Sequence, residues 1–196
     1  MSMPIVGPAS GSADAAARWI TAHCSPSYTP FDVTAIVARY RELGAWAQID
    51  WFLALAQMAH ETGSLTAWWA QRPRRNPAGI GVTGRTLPGE DDAPPGPAWA
   101  WDSAAQRWRE GVSFLTWYDA AIPAHLGRLL AYAFPEGQGT PAQRQLIDQA
   151  MAVRPLPAHL RGVAPTISGL DGRWAVPGVG YGARIIALAG RMRRAA

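Results

Sequence analysis

The run Trp51 to Gly63, WFLALAQMAHETG, constrains the fold more than any other part of this chain. Phe52, Leu55, Ala56 and Ala59 recur at i, i+3, i+4 and i+7, while Trp51, Ala54 and Met58 cover most of the remaining circumference. A helix that is apolar almost all round has no face to give to water, so this one, read from about Ala47 to Thr62, is predicted to lie in the middle of a domain. It ends on Glu61, with Gly63 where a helix stops. Glu61 lies nine residues from Phe52 and so points away from it, toward the side of Gln57 and Met58. The helix dipole opposes an acid there by a few tenths of a kcal/mol, roughly. Apolar surroundings raise a carboxyl pKa, which suits a general acid working near neutral pH. The plainer alternative is a solvated residue at a helix end.

The rest of the chain must cover that helix. At 196 residues, 48% apolar and 16% charged, it suits one folded domain. Residues 1–12 read as a flexible Gly/Pro/Ser tail, and 13–196 as the domain. Asp14 to Thr21 reads as a helix, and Asp32 as the N-cap of a helix carrying Ile36, Val37, Tyr40 and Leu43 up to Gly44. Residues 72–101 turn to Pro and Gly, and 99–117, WAWDSAAQRWREGVSFLTW, reads as two strands, giving a small β lobe over about 76–118. Helical signals return with Ile122, Leu126, Leu129 and Leu130. Thr140-Pro141-Ala142-Gln143 then carries a cap, an N1 proline and a capping-box glutamine, and arginines close a C-terminal helix. The class is α+β, mainly α, with no internal repeat.

The basic residues are 18 arginines and no lysine, against 14 acids, for a net charge of +4. That balance suits an anionic partner: wall polymer, nucleic acid or membrane surface. No run approaches 18 apolar residues, so membrane insertion is not predicted, and no leader-like pattern opens the chain, which leaves location unassigned. A lone Cys24 offers no intrachain disulfide. His60-Glu61 lacks the second histidine of HExxH, where Ser64 stands, and no metal site is expected.

Four ordered segments carry a resemblance: ALAQMAHETG at 54–63, NPAGIGVTG at 76–84, FLTWYDAAIPAHLGRLLAYA at 114–133 and RWAVPGVGYGARI at 173–185. Together they resemble the glucosaminidase family of bacterial and phage cell-wall hydrolases, over roughly residues 32 to 190. The resemblance implies a lysozyme-like fold, with a helical lobe and a small β-hairpin lobe flanking a cleft. It implies Glu61 as the general acid, Tyr181 near the cleft, and a turn whose Asn76, Gly79, Ile80 and Gly81 line the cleft floor. The chain departs from the family pattern at Trp174, which stands in place of a first tyrosine with one extra residue before Tyr181. A second carboxylate would come from the β lobe: Asp102 by position, with Glu90, Asp91 and Asp92 as alternatives. Trp68, Trp69, Trp99 and Trp101 are placed either to stack on sugar rings or to close the core. Arg72, Arg74 and Arg75 are placed either to hold an anionic polymer or to form a solvated face. The expected activity is cleavage of the N-acetylglucosamine/N-acetylmuramic acid backbone of peptidoglycan by a monomer that uses no cofactor and binds no nucleic acid. The competing expectation is a non-catalytic glycan-binding or phage structural module.

Overall fold

A computed structural model describes residues 2–90 and 94–195. Six helices, α1 (Ala13–His23), α2 (Pro30–Ala47), α3 (Trp51–Thr62), α4 (Ile122–Ala133), α5 (Pro141–Val153) and α6 (Tyr181–Arg193), accompany three short strands, β1 (Thr86–Leu87), β2 (Trp99–Asp102) and β3 (Arg107–Glu110). The class is therefore α+β, mainly α. No described helix is long and apolar enough to cross a membrane.

The apolar helix is central, as its pattern demands. Ten of the twelve residues of α3 are buried, so it needs neighbours on every side, and α1, α2 and α6 supply them. Its start differs from the expectation. The chain breaks at Gln48, which takes a left-handed conformation, and α3 begins only after Asp50 caps the Leu53 N–H at 3.1 Å. Asp32 is likewise not the N-cap of α2. Thr29 is, and Asp32 is the reciprocal partner three residues on, its carboxylate accepting the Thr29 N–H at 2.8 Å. The capping box at Thr140–Gln143 forms as the sequence indicates. α4 packs on α5 so closely that a Cβ on Gly127 would sit 1.9 Å from the Leu146 carbonyl oxygen.

The first residues are not a loose tail. Ile5 is buried, its N–H donates to the Pro165 carbonyl at 3.0 Å, and its carbonyl accepts from Asp50 at 2.9 Å. The small lobe holds an antiparallel sheet in the order β1-β3-β2, with Trp101 opposite Trp108. The expected hairpin forms over 99–110 only. Phe114 and Trp117 leave the sheet and pack in the main core, since their backbone finds loop partners such as the Arg74 carbonyl rather than a ladder.

Candidate functional site

Glu61 sits in the last turn of α3, half-buried, where the helix meets the loops of the small lobe. Gln57 lies one turn earlier on the same face, buried. The third member, Tyr181, comes from 120 residues away as the first residue of α6. Local chemistry puts it there. Gly180 caps α6 with φ +70, and the Asp171 carboxylate accepts both the Gly180 and Gly182 N–H groups, at 3.1 and 2.6 Å. A Cβ on Gly182 would fall 2.5 Å from Ser168 Cα, so glycine lets the helix start press against the turn Ile167–Leu170.

The Tyr181 hydroxyl donates to Glu61 Oε1 and accepts from Gln57 Nε2 at 2.7 Å. Gln57 Oε1 meets His125 Nε2 at 3.0 Å, and His125 Nδ1 meets the Tyr40 hydroxyl at 2.7 Å. Burial pushes the His125 pKa down to about 3, so its ring is neutral with one N–H. Because Tyr181 spends its proton on Glu61, it must accept from the Gln57 amide. The Gln57 oxygen then faces His125, which places the ring proton on Nε2 and leaves Nδ1 to accept from Tyr40. Every donor in the chain Tyr40–His125–Gln57–Tyr181 thus points toward Glu61. All four of these side chains are buried, so each polar group is satisfied inside the protein.

Burial raises the Glu61 pKa, while hydrogen bonds from Tyr181 and the Trp174 indole pull it down, with a net rise. Burial and the Glu61 charge push the Tyr181 pKa far upward, so its hydroxyl stays a donor. His60 stacks edge-on against Tyr181 at 5.6 Å, and its pKa is lowered by burial and by Arg184. Trp174 also packs against His125 and Tyr132, with centroids 5.9 and 5.5 Å away.

The turn 76–84 lies beside Glu61, but its residues divide. Asn76 is fully buried and cannot line a cleft. Its Nδ2 donates to the Ile80 and Val112 carbonyls at 2.8 and 3.0 Å, and its Oδ1 accepts from Ala78 and Ile80 at 3.2 and 2.9 Å. An amide used at all four positions has nothing left for a ligand. Gly79 instead faces the acid. A Cβ there would lie 3.9 Å from Glu61 Oε2 and 3.8 Å from Trp69 Nε1, a buried N–H with no partner among the described residues. Gly79, Ile80 and Gly81 help wall a cavity of about 170 Å³.

Asp102 has both of its carboxylate oxygens engaged within the hairpin. Its Oδ1 accepts the Ala104 and Ala105 N–H groups at 3.1 and 3.2 Å, closing the β2–β3 turn, and its Oδ2 pairs with Arg109 at 2.6 Å. Glu90 is exposed, and Asp91 and Asp92 lie outside the described residues. Trp68 carries the guanidiniums of Arg74 and Arg109 over its ring, 5.0 and 5.1 Å from the centroid, and Trp101 meets Trp108 edge-on at 5.3 Å. Those rings stabilise the small lobe through cation–π and aromatic contacts rather than standing bare. Trp99 lies under Arg85, 5.7 Å from its centroid. Arg72 pairs with Asp32 at 2.6 Å, and Arg74 donates to the Trp101 carbonyl, so both are structural cations.

The groups that sequence reasoning left out are Gln57, His125 and Tyr40. The signal for the first two was a polar residue in an otherwise apolar helix.

No protein-family model and no curated protein matches the chain. Among solved structures, the catalytic domain of the autolysin Auto from Listeria monocytogenes is similar at 14% identity and a TM-score of 0.46, over 81% of this chain and 80% of that one.

Proposed function

We propose that this chain hydrolyses the N-acetylglucosamine/N-acetylmuramic acid backbone of peptidoglycan as an endo-β-N-acetylglucosaminidase, with Glu61 as general acid. The observation that carries this reading is the Glu61 carboxyl: its pKa is raised by burial, and a neutral donor, the Tyr181 hydroxyl, is aimed at it. Cleaving a glycosidic bond needs a proton on the leaving oxygen, and burial that raises a carboxyl's pKa favours the form that carries one. With Oε1 occupied by Tyr181, Oε2, on the Gly79 side, is the oxygen that delivers the proton. As the proton leaves, charge grows on Glu61. Donors that bind the carboxylate better than the acid favour the transition state over the ground state.

The positive charge developing at the sugar carbon needs its own stabilisation. Asp102 has both oxygens engaged in the hairpin and is not assigned this role. The substrate's acetamido oxygen takes it, attacking C1 as the glycosidic C1–O bond breaks and Glu61 protonates the leaving oxygen, which forms a cyclic oxazolinium. Water then adds at C1 as the C1–O bond of the oxazolinium breaks and the acetamido group is restored, and it loses a proton to the Glu61 carboxylate, which restores the acid and retains the anomeric configuration.

Purified cell walls digested by the parent are expected to release fragments with new N-acetylglucosamine reducing ends, seen by mass spectrometry, and Glu61→Gln to be slower by about a hundredfold or more. Equal rates for the two proteins would remove Glu61 from the chemistry. New muramic acid ends or 1,6-anhydro ends would replace the assigned bond or reaction. Saturable binding without new ends would make the chain a glycan-binding module.

A further inference from the structure

Arg128 and Arg154 face the cavity of about 170 Å³ that the turn 78–82 walls together with Tyr132 and Trp174. Arg128, half-buried on α4, donates to the Arg154 carbonyl at 3.1 Å and lies 5.9 Å from the Trp174 ring centroid. Arg154 follows α5 directly, and a Cβ on Gly81 would sit 2.8 Å from its Nη1. Among the described residues no carboxylate lies within 4.0 Å of either cation. A partly buried charge without a counter-ion is unfavourable, and burial does push the Arg128 pKa down. Two guanidiniums around one small polar space form a ready receptor for a carboxylate.

The position of the cavity ties it to Glu61. Gly79 and Trp174 wall the cavity and also flank the Glu61 carboxyl, so a ligand seated at Glu61 extends naturally into it. At roughly 30 Å³ per water the space holds about five or six water molecules, the scale of a short side arm.

We propose that Arg128 and Arg154 form an anion subsite that receives a carboxylate borne on a side arm of the glycan bound at Glu61. The proposal rests on the reading of the Glu61 site as a glycan-cleaving centre. Peptidoglycan offers such a carboxylate from two sources: the 3-O-lactyl group of a peptide-free strand, or the stem peptide of an intact one. Chitooligosaccharides have neither.

The test measures binding to Glu61→Gln protein by calorimetry, using chitotetraose, a peptide-free tetrasaccharide of the wall backbone, and the same tetrasaccharide with its stem peptides. At least one carboxylate-bearing ligand is expected to bind about tenfold or more tighter than chitotetraose, an advantage that shrinks with added salt and that Arg128→Gln/Arg154→Gln removes. Preference for the peptide-free ligand assigns the lactyl group, and preference confined to the peptide-bearing one assigns the stem. Arg154→Gln alone, at an exposed position, is expected to lose several-fold of the preference and covers the case in which the double variant does not fold. Equal binding of charged and neutral ligands, an unchanged ratio in folded variants, or no binding at all overturns the subsite. Because the readout is binding, a parent that prefers the charged ligands yet cuts no wall overturns the hydrolytic reading and leaves the subsite standing.

Discussion

Replacing Tyr181 with phenylalanine removes one oxygen that two partners share, and the consequences separate cleanly. Glu61 loses a hydrogen bond made to its charged form, and Gln57 Nε2 loses its acceptor. A bond to a charged group contributes about 1.5–3 kcal/mol, and one pKa unit corresponds to about 1.4 kcal/mol, so the Glu61 pKa should rise by about 1–2 units. The sign follows from the donor: Tyr181 favours the carboxylate, and its loss favours the acid. If Glu61 must be protonated to act, the alkaline limb of kcat/KM moves to higher pH by about a unit or more, while the plateau falls because the anion formed during transfer loses a donor. The orphaned Gln57 amide costs about 1–3 kcal/mol, and each kcal/mol lowers Tm by about 2–4 °C at this size. The raised Glu61 pKa adds its own pH dependence. Its stabilising effect is present below the unfolded pKa and is lost as pH rises through the folded one, so the Tm deficit of Tyr181→Phe is expected to be larger at pH 8 than at pH 4. The assay is a pH–rate profile on solubilised wall fragments beside melts at both pH values. An alkaline limb that stays in place, or moves down, would refute the assignment of Glu61 as an acid tuned by Tyr181.

The hairpin and the turn give two further tests. Asp102→Asn keeps an oxygen to close the β2–β3 turn and loses only the charge facing Arg109, so wall digestion should stay within a few-fold of the parent, against the loss of about a hundredfold or more that follows removal of a general base. Asn76→Ala takes the amide partner from the Ala78 and Ile80 N–H groups and the Val112 carbonyl, while the Ile80 carbonyl keeps the Val112 N–H, and should lower Tm by about 5–15 °C in a circular-dichroism melt. An unchanged melt would show that water enters the turn.

Much of this molecule was legible from near neighbours along the chain. The burial of α3 follows from its composition around the helix, the start of α5 from Thr140-Pro141-Ala142-Gln143, and the shared face of Gln57 and Glu61 from their four-residue spacing. Glu61 stood out as a candidate because it interrupts an apolar run. Each of these is a short-range property, set by helical period and capping chemistry. Even the misplaced boundaries, Asp32 for Thr29 and Ala47 for Trp51, are errors of a few residues within elements that exist.

Partnership was decided by the tertiary structure. Asn76 and Asp102 carry residue types that suit a sugar site, yet folding turns one amide wholly inward and commits one carboxylate to an arginine and a turn. Ile5 belongs to a segment rich in Gly, Pro and Ser, yet it is buried because Pro165 and Asp50 meet its backbone from distant parts of the chain. The relay from Tyr40 through His125 and Gln57 to Tyr181 and Glu61 spans sequence separations of 85, 68, 124 and 120 residues. The sequence by itself determined which helices form, which of them is central and which acid stands at its end, because periodicity and caps act over a few residues. What surrounds that acid was decided only by chain closure, because a buried polar group must find its partner wherever in the chain that partner is encoded.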